Sequence, residues 1–191
     1  MWRQAAEEVK RVPLEELSVP ALSALLAAFS RAPFFDSSLV EGLANEALLR
    51  ARRGEAAGLA ISHIASVLSS IANSNIVWVD YAKTEDLFTG MSPALTAYAP
   101  SSFSVQQVAV IASAFAKAKI FDELLFAHLS RAVQWRGRNK AEFSVQVVGV
   151  LLFAFSRVQV DDATLLNFLA NIIVELPPAS FTPQACILLL T

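Results

Sequence analysis

Cysteine occurs once in this chain, at Cys186, and histidine twice, at His63 and His128. A single thiol excludes an internal disulfide and any cysteine-cluster metal site. It also suits a reducing compartment. Cys186, His63 and His128 lie far apart in helical patterns. The expectation is a small core thiol and two solvent-facing or core-edge histidines, not a metal or catalytic group. Glycine is sparse, with 6 in 191 residues, and none belongs to a phosphate-cradling loop or a nucleophile elbow. Acidic pairs such as Glu15-Glu16 and Asp161-Asp162 fall at helix starts, where capping and the helix dipole account for them. The residues therefore predict no enzyme, no cofactor and no metal. A basic excess is missing too: the formal net charge is -2. A chain that lives by phosphate contacts is usually basic, so any nucleic-acid surface must be local. Long apolar runs are also absent. Although 55% of the residues are hydrophobic, stretches such as Val147 to Phe155 fall short of the roughly 20 residues that cross a bilayer. Buried helices and no membrane span are expected. The opening "MWRQAAEEVKRV" carries Glu7 and Glu8, unlike a secretory signal or a transit peptide. An organellar address would have been removed or would lie elsewhere.

Repetition is what the chain does have. "FSVQQVAVIASAFAKAKIFDELLFAHL" starts at Phe103, and "FSVQVVGVLLFAFSRVQVDDATLLNFL" starts 40 positions later at Phe143. Val108, Ile111, Phe115 and Ala118 form a helical stripe in the first line, matched by Val148, Leu151, Phe155 and Val158 in the second. Asp122 or Asp162 follows, placed to cap a second helix. That helix is seeded by Leu125, Phe126 and Leu129, or by Leu165, Leu166 and Leu169. "LSVPALSALLAAFSRAPFFDSSLVEGL", from Leu17, lies 86 positions before Phe103 and aligns without a gap. It carries Leu22, Leu25, Phe29, Ala32 and the cap Asp36. Between them sits a weaker copy with Ile64, Val67, Ile71 and Ser74, its Asp80 two positions late. Gly90 and Pro93 should interrupt its second helix.

These copies predict an all-α fold, an α-solenoid of helix-turn-helix repeats with a period near 40 residues. One helical pair cannot bury its apolar face alone, and stacked neighbours can. The expected organisation is a single array over 1–191. Residues 1–13 give a partial preceding helix, followed by repeats at 14–54, 55–100 (degenerate), 101–141 and 142–179. Residues 180–191 begin an incomplete repeat, with Thr182 and Pro183 as cap and first-turn proline. The unfinished copy points to a longer parent or a docked end.

With its recurrent "SAFAKA", "FAFSRV" and "AAFSRA" and its post-turn Asp and Leu pairs, the chain resembles the octotricopeptide class. It is equally similar to the heptatricopeptide repeats of apicomplexan parasites and to the helical part of FAST-kinase-like and RAP-domain proteins. The resemblance runs from Leu17 to Thr191, and no RAP domain is visible. It implies organellar, most simply mitochondrial, RNA binding within a ribonucleoprotein such as a mitochondrial ribosome. Its partners would be a ribosomal or organellar RNA and neighbouring proteins of a large assembly.

Two groups of residues could touch RNA. The first-helix face at i, i+7 and i+11 carries Pro20, Ala27 and Arg31; Ser62, Ser69 and Asn73; Gln106, Ser113 and Lys117; Gln146, Phe153 and Arg157. Its last column, Arg31, Asn73, Lys117 and Arg157, could follow a phosphate backbone. Equally, bases at a helix C-terminus favour its dipole by roughly 0.3–1 kcal/mol each. The second group lies in the joints: Arg50, Arg52 and Arg53, then Arg131, Arg136, Arg138 and Lys140 beside Trp135. Arginine with an exposed tryptophan can hold a strand by charge and stacking; a solvated inter-repeat loop with the ring tucked away fits as well. Near-neutral charge and high apolarity leave a second function open, a protein-only scaffold of a large organellar complex.

Overall fold

The computed structural model describes residues 1–32, 36–53, 60–74, 81–137, 139–158 and 162–181. Among them are nine α-helices and no strand. The chain divides into two compact units, Met1–Leu95 and Thr96–Thr191. In the first unit lie α1 (Trp2–Lys10), α2 (Val19–Phe29), α3 (Ser37–Arg52), α4 (Ile61–Ala72) and α5 (Tyr81–Thr96). The second holds α6 (Val105–Ala118), α7 (Glu123–Arg136), α8 (Val145–Arg157) and α9 (Ala163–Glu175).

The helices start where the sequence supplies oxygen to the unpaired first-turn amides. Ser18, Ser104 and Ser144 each accept from the backbone N–H three residues on, at 3.2–3.3 Å. Gln107 closes a capping box by accepting from the Ser104 N–H. Asp36, Asp122 and Asp162 do the same for the second helices, at 2.9–3.1 Å. The weaker copy breaks the pattern: α4 begins after Ala60, which offers no side-chain cap, and Asp80 lies outside the described residues. Short 3-10 turns precede three of the first helices, at Leu14–Glu16, Pro100–Ser102 and Lys140–Glu142. A fourth stands at Pro178–Ser180. The expected first-turn pair Thr182-Pro183, like Cys186, lies outside the described residues.

The stripes become the cores. In the first unit α2 packs on α3 and α4, burying Leu22, Leu26, Phe29, Val40, Leu43, Ile64, Leu68 and Ile71. In the second unit α6 packs on α7 and α8, and α9 on α7 and α8. Phe126 joins three helices there. Its ring lies 6.1 Å from Phe115 and 5.1 Å from Phe155, edge to face in both cases. Fully burying one such side chain contributes about 1.5–3 kcal/mol. The N-terminal α1 docks through buried Ala6 and a 5.9 Å edge-to-face contact of Trp2 with Phe29.

One expectation is corrected. Gly90 and Pro93 do not interrupt the second helix of the weaker copy; α5 runs unbroken through both. Buried Leu87, Phe88, Met91, Ala94 and Leu95 hold it against the core on either side of the proline. Gly90 serves close packing, because a Cβ there would lie 2.6 Å from Leu48 Cδ1. Gly137 has a similar role: a Cβ would meet the Phe168 ring at 2.4 Å.

Candidate nucleic-acid interface

The first-helix face has the same exposure in every copy. Pro20, Ser62, Gln106 and Gln146 are exposed; Ala27, Ser69, Ser113 and Phe153 are half-buried; Arg31, Asn73, Lys117 and Arg157 are exposed again. This follows from helical spacing, since i, i+7 and i+11 lie opposite the buried stripe. In the second unit the packing of α6 on α8 sets two such faces on adjacent helices.

The last column does two different things. In the first unit, Arg31 Nε donates to the Ala27 carbonyl at 2.9 Å, and Asn73 Nδ2 donates to the Ser69 carbonyl at 2.7 Å. The Ala27 carbonyl is one that the helix end leaves without a backbone donor, whereas the Ser69 carbonyl also accepts the Asn73 backbone N–H at 3.1 Å. In the second unit, Arg157 lies with its guanidinium 5.6 Å over the Phe153 ring. Lys117 is exposed in the last turn of α6.

The joint cations are placed differently from the surface cluster expected of them. Arg50 is a buried residue of α3. Its Nη1 donates to the Leu17 carbonyl at 2.7 Å, and Nη2 donates to the Leu14 and Glu15 carbonyls at 3.0 and 3.1 Å. Its Nε donates to Glu46 Oε1 at 2.7 Å. Arg136, on α7, repeats the arrangement. Nε donates to the Phe103 carbonyl at 2.7 Å, Nη2 to the Ser101 carbonyl at 3.0 Å and Nη1 to Glu142 at 3.2 Å. Each guanidinium thus ties the end of a second helix to the 3-10 turn that opens its own copy; Arg50 is buried there and Arg136 half-buried. The sequence carries a signal of this: the two arginines are 86 positions apart and each reaches a carbonyl 33 residues back.

Of the remaining candidates, Arg52 pairs with Asp86 at 3.0 Å. Lys140 pairs with Glu175 across the ends of its copy. Arg53 is exposed at the end of α3. Arg131 Nε donates to the Ala127 carbonyl at 3.3 Å. Arg138 lies outside the described residues. Trp135 is 46% exposed, with the Arg136 guanidinium 5.3 Å from its ring.

Two sites carry pKa shifts that arise only from packing. Lys10 donates to Asp36 at 2.6 Å, and that hydrogen bond holds the Asp36 carboxyl below its ordinary value. His128 is buried against Phe103, ring centroids 5.7 Å apart. Burial holds its pKa below the ordinary value, reinforced by the Arg131 charge and opposed by a hydrogen bond with the Tyr98 backbone. Its Nε2 is buried with no hydrogen-bond partner among the described residues. Neither group forms a reactive constellation, and among the described residues no cluster of His, Cys, Asp and Glu could hold a metal. Among them, too, no helix is long and apolar enough to cross a membrane.

The second unit also carries a groove of about 370 Å³ where α6 and α8 end, lined by Ala116, Lys119, Phe121, Arg157 and Val158. No protein-family model and no curated protein sequence matches this chain.

Proposed function

We propose that this chain is an α-solenoid array with a period near 40 residues that binds RNA in an organellar, mitochondrial ribonucleoprotein such as the mitochondrial ribosome. The observation that carries this is the recurrent first-helix face, with one exposed cation or amide per copy at its last position. The similarity of the repeated lines to octotricopeptide-type and heptatricopeptide-type proteins supports it. Of the cations, Lys117 and Arg157 serve the RNA; Arg50 and Arg136 serve the fold. With few cations on the face and a net charge of -2, affinity depends on both RNA and neighbouring proteins. The reading is tested by isolating the native particle before and after nuclease. An RNA-dependent particle is expected; one unchanged by nuclease overturns the proposal.

A second reading is a protein-only scaffold of a large organellar complex. It is favoured by the apolar side chains that the second helices expose, Leu124 at 79% and Val174 at 84%. Survival of the particle through nuclease would select it.

A further inference from the structure

We propose that the groove between Phe121 and Arg157 is a nucleotide site. It would hold one unstacked base of a single strand on the Phe121 ring and the adjoining phosphate on Arg157 and Lys119. This deepens the RNA-binding proposal and rests on it.

Four observations meet in the groove. Its volume, about 370 Å³, lies in the range of small-molecule pockets, which begins at about 300 Å³. Phe121 is 51% exposed, yet its ring is tethered 5.9 Å from the core ring of Phe126. It is therefore a positioned platform with a face open to solvent, which is what base stacking requires. Arg157 is held with its guanidinium over Phe153. A guanidinium pre-set in this way loses less freedom when it donates to a phosphate.

The fourth is the backbone of Lys119. Its φ of 58° makes it the one non-glycine residue with positive φ among those described. The Lys119 N–H donates to the Ala116 carbonyl and the Ile120 N–H to the Phe115 carbonyl, so a Schellman motif ends α6. Glycine is favoured at that position because a Cβ is strained there. A lysine kept on the wall of the groove despite this strain fits a role for its ammonium. The lining also contains both halves of a nucleotide's chemistry. Phe121, Ala116 and Val158 are apolar; Lys119 and Arg157 are cationic. An acidic peptide would use the cations and leave the ring idle.

The test is binding of an oligouridylate of about 12 nucleotides to the full chain and to Phe121→Ala, Phe121→Tyr and Lys119→Gly, with each melting curve recorded. Phe121→Ala should weaken binding about tenfold, the effect of losing one stacked base, while Phe121→Tyr binds as the parent does. Lys119→Gly should melt higher and bind several-fold more weakly, an opposition that misfolding cannot produce. If the parent binds RNA and these variants match it, the groove inference falls and the RNA-binding proposal stands. If the parent does not bind RNA, both fall. If Phe121→Ala weakens an acidic peptide as much as RNA, the groove docks protein and the inference falls.

Discussion

The two units, Met1–Leu95 and Thr96–Thr191, use the same frame and fill it differently. Each contains a 3-10 turn, a serine-capped first helix, an aspartate-capped second helix and an arginine tying that helix back to the turn, and in the first unit these follow α1. Ser18, Asp36 and Arg50 recur as Ser104, Asp122 and Arg136. The core positions differ. Where the second unit has Phe126 among Phe115 and Phe155, the first has Val40, also fully buried. The following copies diverge further: α8 keeps its serine cap at Ser144, whereas α4 has Ala60. Ser18, Asp36 and Arg50 thus keep their register in the second unit, while core composition is exchanged as long as the stripe stays apolar.

Removing the core ring should break this parallel most strongly. Phe126→Ala is expected to destabilise the second unit by about 3–5 kcal/mol, in line with Phe115→Ala and Phe155→Ala. Val40→Ala should cost the first unit less, since it removes two methyl groups instead of a ring. Urea unfolding gives the loss, and native-state hydrogen exchange assigns it to a unit.

The arginine ties come next. Arg50→Met should cost about 2–3 kcal/mol, because the charge-assisted hydrogen bonds of a buried guanidinium to part-buried carbonyls are lost. At Arg136→Met about 1–2 kcal/mol is expected, since that side chain is 27% exposed against 9% for Arg50. Equal losses would show that burial does not set the strength of the tie.

Acid should separate the units in a third way. His128 is kept neutral by burial, so below its ordinary value of 6.5 the unfolded chain binds a proton that the folded chain does not. Second-unit stability should fall as pH drops from 6.5 toward the lower folded value, and His128→Phe should remove that slope. Gly42 stands at the matching position of the first unit. There the ion-paired Asp36, held below 3.8, contributes stability that is full above 3.8. It is lost only as pH falls through its still lower folded value. Melting curves at stepped pH check both, and equal acid sensitivity of the two units at pH 5–6 would contradict this account. The smallest effect expected is at the weak copy. Ala60→Ser should restore the missing cap and add about 0.5–1 kcal/mol, while Ser104→Ala removes a similar amount.

The helices, their stripes and their caps were legible because they are local: an apolar residue every third or fourth position and an oxygen three residues before an amide. The helix through Gly90 and Pro93 was not, because packing against Leu48 and the core outweighed local propensity. The ties of Arg50 and Arg136 were misread as surface charge for a related reason. A cation in a joint gives the same signal whether it faces solvent or carbonyls 33 residues away. The candidate face was legible as an exposed column, but Arg31 and Asn73 turned out to bond their own helix ends, and only the coordinates separate them from Arg157. The groove was invisible, because it depends on how α6 and α8 end side by side.

The central claim, that Lys117 and Arg157 carry phosphate contacts, is tested most directly by RNA affinity across a salt series for the parent and for Lys117→Ala with Arg157→Ala. For a single strand, each lost contact should flatten the slope of log affinity against log salt by roughly 0.7. The double variant should therefore bind all sequences more weakly, with a slope shallower by about 1.4 and a nearly unchanged melting temperature. A parent that binds RNA no better than a neutral protein, or a double variant with the parent's slope, would contradict the account.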